Sequence, residues 1–239
     1  CLWSGDRLVT IGSAPPTVGV PMLLYDYHDA PNPRVVRMFA AEKGIDLPKQ
    51  AVDVRAGENR RAPYVTRINR TGQVPALLLQ SGQVITEILP ICEYLEERFP
   101  APALIGDTPE TRAETRMWTR WLDLKYVERM TEACVVRSGP IRELYARNNY
   151  KTMLPPEDGA VLASIAREKL AWFDAEMRSL ADQTGGKREW VCGNRLTLAD
   201  IHLFVFLDFF EMLGLPYPRD CVWVDDFYRR VSGRPSATA

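Results

Sequence analysis

Between residue 22 and about residue 100, apolar positions follow two rhythms in turn. Short β-type runs at 23–27, 51–54, 76–79 and 84–86 predict four strands. Residues 32–43 place Val35, Met38 and Phe39 at helical spacing and stop at Gly44, a natural helix end. A polar helix is expected over roughly 60–69. A further helix over 87–99 has Ile88, Ile91, Cys92 and Leu95 on its buried face. The Ser81-Gly82 turn is so short that the strands flanking it must be antiparallel. The order βαβ, α, ββα therefore predicts a small mixed sheet with helices.

Pro100, Pro102 and Pro109 punctuate a linker, and everything after it reads as helix. Residues 110–137 carry Met117, Trp121, Leu124, Val127, Met130 and Cys134 at steps of three and four. After Pro155-Pro156, Leu162, Ala166, Leu170, Phe173, Met177 and Leu180 repeat the pattern. A third helix opens at Thr197, where Asp200 completes a capping box and Leu196 and Ile201 are placed to staple it. A short helix at 223–231 closes the chain. The expected division is an extension at 1–21, an α/β domain at 22–100, a linker at 101–108 and an all-helical domain at 109–239.

Residues 1–21 hold one acid, one base, three prolines and three glycines with no sustained period. They lack the basic start, apolar run and small-residue cleavage site of a secretory signal. Met22 is the expected original start, and Cys1 reads as a cropped start rather than a processed lipoprotein.

Composition narrows the function classes. Residues 1–100 hold 11 charges of each sign, and residues 101–239 hold 19 basic and 20 acidic, for a formal charge of −1. Neither half is a polycation, so nucleic acid and anionic lipid are not expected partners. No apolar run is long enough to span a membrane; the best, 201–207, stops at Asp208. Five widely spaced cysteines without CxxC argue against a disulfide framework and a zinc site, and Cys92 and Cys134 read as buried, inert thiols. With two histidines, a Ser-His-Asp triad would need His28 or His202, and no Gly-x-Ser-x-Gly elbow partners either. His202, set among Ile201, Leu203 and Phe204, reads as a satisfied core or interface histidine.

Three constellations carry chemistry. Pro75 opens a strand, where it either caps an edge or holds a cis bond that turns the Val74 backbone outward, open to an extended peptide. Glu87 stands at a helix N-terminus, where free N–H groups favour a carboxylate. There it either complements the helix dipole or accepts a ligand's ammonium group. Asn32, between Pro31 and Pro33, either caps the first helix or offers its amide to an anion at that helix end.

The segments APNPRVVRMFAAEKG (30–44) and NRTGQVPALLLQSGQVITEILPICEYLEERFP (69–100) closely resemble the soluble glutathione transferases. LTLAD (196–200) matches that family's helix start. The resemblance covers roughly 22–235, and its first segment looks most like the atypical bacterial and fungal branch that lacks the usual catalytic Ser, Tyr or Cys. It implies a thioredoxin-like first domain, an all-α second domain and a cytosolic homodimer acting in detoxification. Glutathione is the implied co-substrate, with no metal. The implied glutathione-binding residues are Gln73, Val74, Pro75, Glu87 and Ile88. The electrophile would lie in a cleft lined from the 110–137 helix by Trp118, Trp121 and Tyr126, which suits a hydrophobic or aromatic substrate.

Two positions depart from the family pattern. Ala30 stands where relatives carry Ser, Thr or Cys, so thiol activation falls to Asn32, to backbone N–H groups at 32–34, to Tyr27, or to water held near Arg137 and Ser138. Ile88 stands where Ser or Asp is usual and offers only its backbone N–H. The alternative reading is a non-catalytic member of the fold that has lost glutathione affinity and serves as a binding or regulatory protein.

Overall fold

A computed structural model describes residues 22–137, 139–147, 154–186 and 188–239. The 1–21 extension and Ser138 lie outside them.

Strands β1 (Met22–Asp26), β2 (Lys49–Ala51), β3 (Ala76–Leu79) and β4 (Val84–Thr86) form one sheet in the order β2-β1-β3-β4. β1 and β2 are parallel, while β3 runs antiparallel to both β1 and β4. Helix α1 (Pro31–Glu42) makes the parallel crossover, and α3 (Ile88–Arg98) follows β4. Alternation along β1 sends Leu24 into the helix-covered core, while Tyr25 joins Val52, Tyr64 and Ala76 in a smaller cluster.

Two expected elements shift. The second strand lies at Lys49–Ala51, not 51–54, because β1 ends at Asp26 and its last carbonyl already accepts the Val52 N–H, 2.8 Å away. Val52 and Val54 are buried, which explains their strand-like pattern. The polar helix over 60–69 contracts to a 3₁₀ turn at Glu58–Arg60 and the single turn α2 (Tyr64–Arg67). Beyond it the N–H groups of Ile68 and Asn69 both fall back on the Tyr64 carbonyl.

The helical half contains α4 (Pro109–Leu122), α5 (Glu128–Val136), α6 (Pro140–Arg147), α7 (Asp158–Gln183), α8 (Leu198–Met212) and α9 (Val222–Ser232). A π-helical turn, Asp123–Val127, joins α4 to α5, so the expected 110–137 helix is one rod with a bulge. α6 had no counterpart in the apolar pattern. α8 is buried almost throughout, and its capping box forms as the sequence implies: Asp200 accepts the Thr197 N–H at 2.7 Å and its hydroxyl at 2.8 Å.

One core runs without interruption from the sheet through Leu104 and Ile105 into the helical half. Polar ties reinforce it. Near its start α1 sends Arg34 to Asp208 of α8 and to the Ala237 carbonyl at 2.8 Å, and at its end Glu42 takes a two-pronged bond from Arg234. At the linker, Lys43 and Glu96 form a fully buried ion pair at 2.7 Å. Lys43 also donates to the carbonyls of Phe99 and Pro102, and Glu96 accepts the N–H groups of Leu104, Ile105 and Gly106. Every charge-bearing atom of that pair is thus hydrogen-bonded, as burial demands.

Candidate functional site

Register places the three constellations together. Ala76 pairs with Tyr25 on one side and Thr86 on the other, so the end of β1, the start of β3 and the end of β4 share one edge of the sheet. The loop into α1, the Val74-Pro75 step and Glu87 all leave from that edge.

The Val74-Pro75 bond is cis. Among the described residues, nothing hydrogen-bonds the N–H or C=O of Val74. The peptide before it is held firmly. The Gln73 carbonyl accepts from the Tyr64 hydroxyl at 2.8 Å and the Asn69 amide at 3.0 Å, and Asn59 holds the Gly72 carbonyl at 2.6 Å. Gly72 has φ +64°, and a Cβ there would lie 2.7 Å from the Asn59 carbonyl oxygen, so only glycine fits. The Gln73 side chain is exposed. The supports Tyr64, Asn69 and Asn59 were not foreseen; the Asn-Arg-Thr-Gly turn before Gln73 was their only signal.

Glu87 has φ 73° and ψ 148°, a region that is nearly glycine's alone. Among the described residues it is the one non-glycine residue with a positive φ. Its side chain is exposed, and no hydrogen bond or ion pair among the described residues engages the carboxylate. Behind it α3 opens with Ile88, Leu89 and Pro90. Ile91 N–H makes the first intrahelical bond, to the Glu87 carbonyl at 3.2 Å, and Pro90 has no N–H. Two amides, those of Ile88 and Leu89, remain to meet an anion. The Ile88 side chain packs against the core, so its contribution to the surface is that amide.

The α1 start is sparser than expected. Ala30, not Asn32, is the N-cap, so Asn32 sits one residue past the helix start and its side chain does no capping. Pro31 and Pro33 lack N–H groups, and Arg34 N–H is directed at the Ala30 carbonyl, 3.4 Å away. The expected backbone donors at 32–34 therefore reduce to one, Asn32 N–H, beside the Asn32 amide. Tyr27 donates its hydroxyl to Asp29 at 3.2 Å, and burial together with Asp29 pushes its pKa up. Arg37 anchors the loop by pairing with buried Asp26 and donating to the His28 carbonyl at 3.0 Å.

Of the three aromatics expected at the cleft, Tyr126 and Trp118 are buried and Trp121 is half-buried. Tyr126 is fully buried against Phe210, and burial raises its phenol pKa. Trp118 is 7 % exposed and packs edge-on against Phe173. Trp121 stacks on Trp172 and Phe173 of α7. Trp118 and Trp121 occupy the α4–α7 seam and Tyr126 packs against α8, because the spacing that faces a cleft also faces a neighbouring helix. Cys92 and Cys134 are buried with raised pKa values, Cys134 to about 12. His202 is buried but not satisfied: Nε2 lies 3.8 Å from Asp123, Nδ1 has no hydrogen-bond partner among the described residues, and burial lowers its pKa to about 4.

Comparisons with known proteins agree with this architecture. The family description "Glutathione S-transferase, N-terminal domain" matches residues 30–98, and "Glutathione S-transferase, C-terminal domain" matches 161–235. Glutathione S-transferase 2 of Saccharomyces cerevisiae is 28 % identical over 220 residues, covering 90 % of this chain and 87 % of that protein. FtsZ-localized protein A of Caulobacter vibrioides is 28 % identical over 221 residues, covering 91 % and 90 %. The crystal structure of a glutathione S-transferase domain-containing protein from Marinobacter aquaeolei superposes with a TM-score of 0.77 at 27 % identity, covering 90 % of this chain and 98 % of that one. Among the described residues, no helix is long and apolar enough to cross a membrane.

Proposed function

The chain belongs to the glutathione S-transferase family, and on that premise we propose that it binds glutathione at this sheet edge and directs the thiolate at a hydrophobic or aromatic electrophile. One observation carries the reading: among the described residues, unpaired peptide groups at Val74 lie along the same edge as an unpaired carboxylate, Glu87, and two unpaired amides, Ile88 and Leu89. A peptide with a zwitterionic amino-acid end complements that set. Its main chain pairs with Val74, its ammonium group meets Glu87, and its α-carboxylate takes the helix amides. Gln73 and Pro75 flank the same groove.

The thiol needs help to ionise. With an ordinary pKa of roughly 8.5, a few per cent is thiolate at neutral pH. Lowering that pKa by two units takes about 2.7 kcal/mol of preferential thiolate stabilisation. Asn32 supplies two donors at the α1 start, its N–H and its amide. Tyr27, whose hydroxyl is turned to Asp29, contributes less. The sulfur–carbon bond then forms as the bond to the electrophile's leaving group breaks, and the electron pair departs with that group. In this reading residues 22–100 hold glutathione, 109–239 hold the electrophile, and two copies form a homodimer.

A second reading has a specific observation behind it. Ala30 and Ile88 both present carbon where the family pattern calls for a polar side chain, and FtsZ-localized protein A, like the yeast transferase, is 28 % identical to the chain. A protein-binding member of the fold would account for both.

Calorimetric titration with reduced glutathione separates the readings. Micromolar to low-millimolar binding, weakened about ten- to a hundredfold by Glu87→Ala, is expected. No heat at ten millimolar glutathione would turn the search to protein partners.

A further inference from the structure

Helix α1 carries Asn32 on a first turn that holds itself poorly. Its N-cap, Ala30, has only a methyl to cap with, and Pro31 and Pro33 contribute no N–H. The contact that closes the turn, Arg34 N–H to the Ala30 carbonyl, is 3.4 Å long. That exceeds the usual upper range of roughly 3.2 Å. What holds the turn comes from the other half of the chain, through the Arg34 side chain. Its Nη1 pairs with Asp208 of α8 at 2.5 Å, and its Nη2 donates to the Ala237 carbonyl at 2.8 Å. The guanidinium carbon lies 5.7 Å from the centre of the Phe204 ring, over its face. The second Asp208 oxygen accepts the Tyr228 hydroxyl of α9 at 2.6 Å, so the carboxylate that receives Arg34 is itself fixed.

The Arg34 and Asp208 side chains are 18 % and 24 % exposed, so water screens their pairing less than it would a surface pair. A planar guanidinium with both Nη atoms engaged and a ring against its face has one orientation. We propose, on the glutathione reading above, that Arg34 is a positioning residue: pinned by Asp208, Phe204 and the Ala237 carbonyl, it fixes the first turn of α1 so that the Asn32 N–H and side-chain amide meet the glutathione sulfur. The other end of α1 supplies the control. There Arg234 makes a two-pronged bond to Glu42, both distances 2.7 Å, and ties the same helix to the same half of the chain. Ten residues of helix place that tie about 15 Å from Asn32 along the axis. It can steady the fold as Arg34 does without setting the donors.

The test is the ultraviolet thiolate absorbance of bound glutathione followed against pH, with the whole chain in excess. In the parent the thiol is expected to titrate below its ordinary value of roughly 8.5. Arg34→Met should raise that titration by about one unit, an almost tenfold loss of thiolate at neutral pH. The calorimetric dissociation constant should change less than about threefold, because Val74 and Glu87 still hold the peptide. Arg34→Lys, which keeps the charge and loses the fork, should recover part of the shift. Arg234→Met should lower the thermal midpoint comparably and leave the thiol titration where it was. Asp208→Asn, a milder change, separates position from charge. It loosens Arg34 while uncovering its positive charge, so a raised titration supports positioning, and a lowered one would show charge acting directly and overturn it. The role also falls if Arg34→Met titrates as the parent does, or if Arg234→Met moves the thiol equally. A parent that binds no glutathione at ten millimolar sinks the glutathione reading and this role together; binding with an unmoved titration sinks this role alone.

Discussion

The starts of α3 and α8 face the same requirement, N–H groups without an intrahelical partner, and meet it in opposite ways. At α8 Asp200 accepts from Val191, from the Thr197 N–H and from the Thr197 hydroxyl, while the Leu198 N–H reaches the Leu104 carbonyl at 2.8 Å. Thr197 and Asp200 are wholly buried. At α3 the cap residue is exposed, its side chain caps nothing, its backbone is strained, and two amides are left over. The satisfied start holds the fold; the unsatisfied one keeps its donors for a ligand. Strain at Glu87 persists because the β4 pairing on one side and α3 on the other dictate its backbone.

The contrast is most easily broken at α8. Asp200→Ala strands several buried donors and should cost about 4 kcal/mol in urea unfolding. A loss below 1 kcal/mol would mean that water replaces the cap. Acid dependence sharpens the same region. His202, at about 4 against an ordinary 6.5, contributes stability that is fully present above pH 6.5 and lost as pH falls toward 4. Asp200, at about 6 against 3.8, contributes stability that is fully present below pH 3.8 and lost as pH rises through 6. The two oppose each other over the same interval. Relative to the parent, His202→Leu should therefore gain about 3 kcal/mol as pH is lowered from 6.5 to 4. A parallel pair of stability curves would refute that assignment.

At α3 the effects fall on binding. Ile88→Ser adds a donor at the helix start and should tighten glutathione about tenfold, read as the dissociation constant. The smallest change is conformational. Glu87→Gly relieves the strained φ and should raise stability by about 1 kcal/mol after the entropy cost of glycine, while glutathione affinity falls. A stabilised variant that binds as before would separate the strain from the site.

Much of this architecture was legible in the residues, because the features concerned are local. A capping box needs two side chains three residues apart, and Thr197 with Asp200 met that need in sequence and in space. The helix start at Glu87 was likewise a short-range pattern, while Pro75 left an edge cap and a cis bond both open. Long-range choices were hidden. Trp118, Trp121 and Tyr126 keep a helical period that says which face is apolar and not which neighbour covers it. The π turn at 123–127 leaves the apolar spacing intact, so one rod with a bulge reads as one helix. Val52 and Val54 alternate like a strand, yet β1 has no residue left to pair with them. The single backbone donor at α1 follows from Pro31 and Pro33, once the helix start is known to be Ala30.

The Lys43–Glu96 pair also bears on how this chain can be divided. Glu96 holds amides within the linker, past Pro102, and Lys43 holds carbonyls just before and within the linker. A protease cut near residue 103 would leave the carboxylate on one fragment and its three amides on the other. Fragments expressed separately would keep both charges on the first and leave three stranded amides on the second. A chimaera that takes its first half from a relative keeps this network only where position 96 is acidic and position 43 basic.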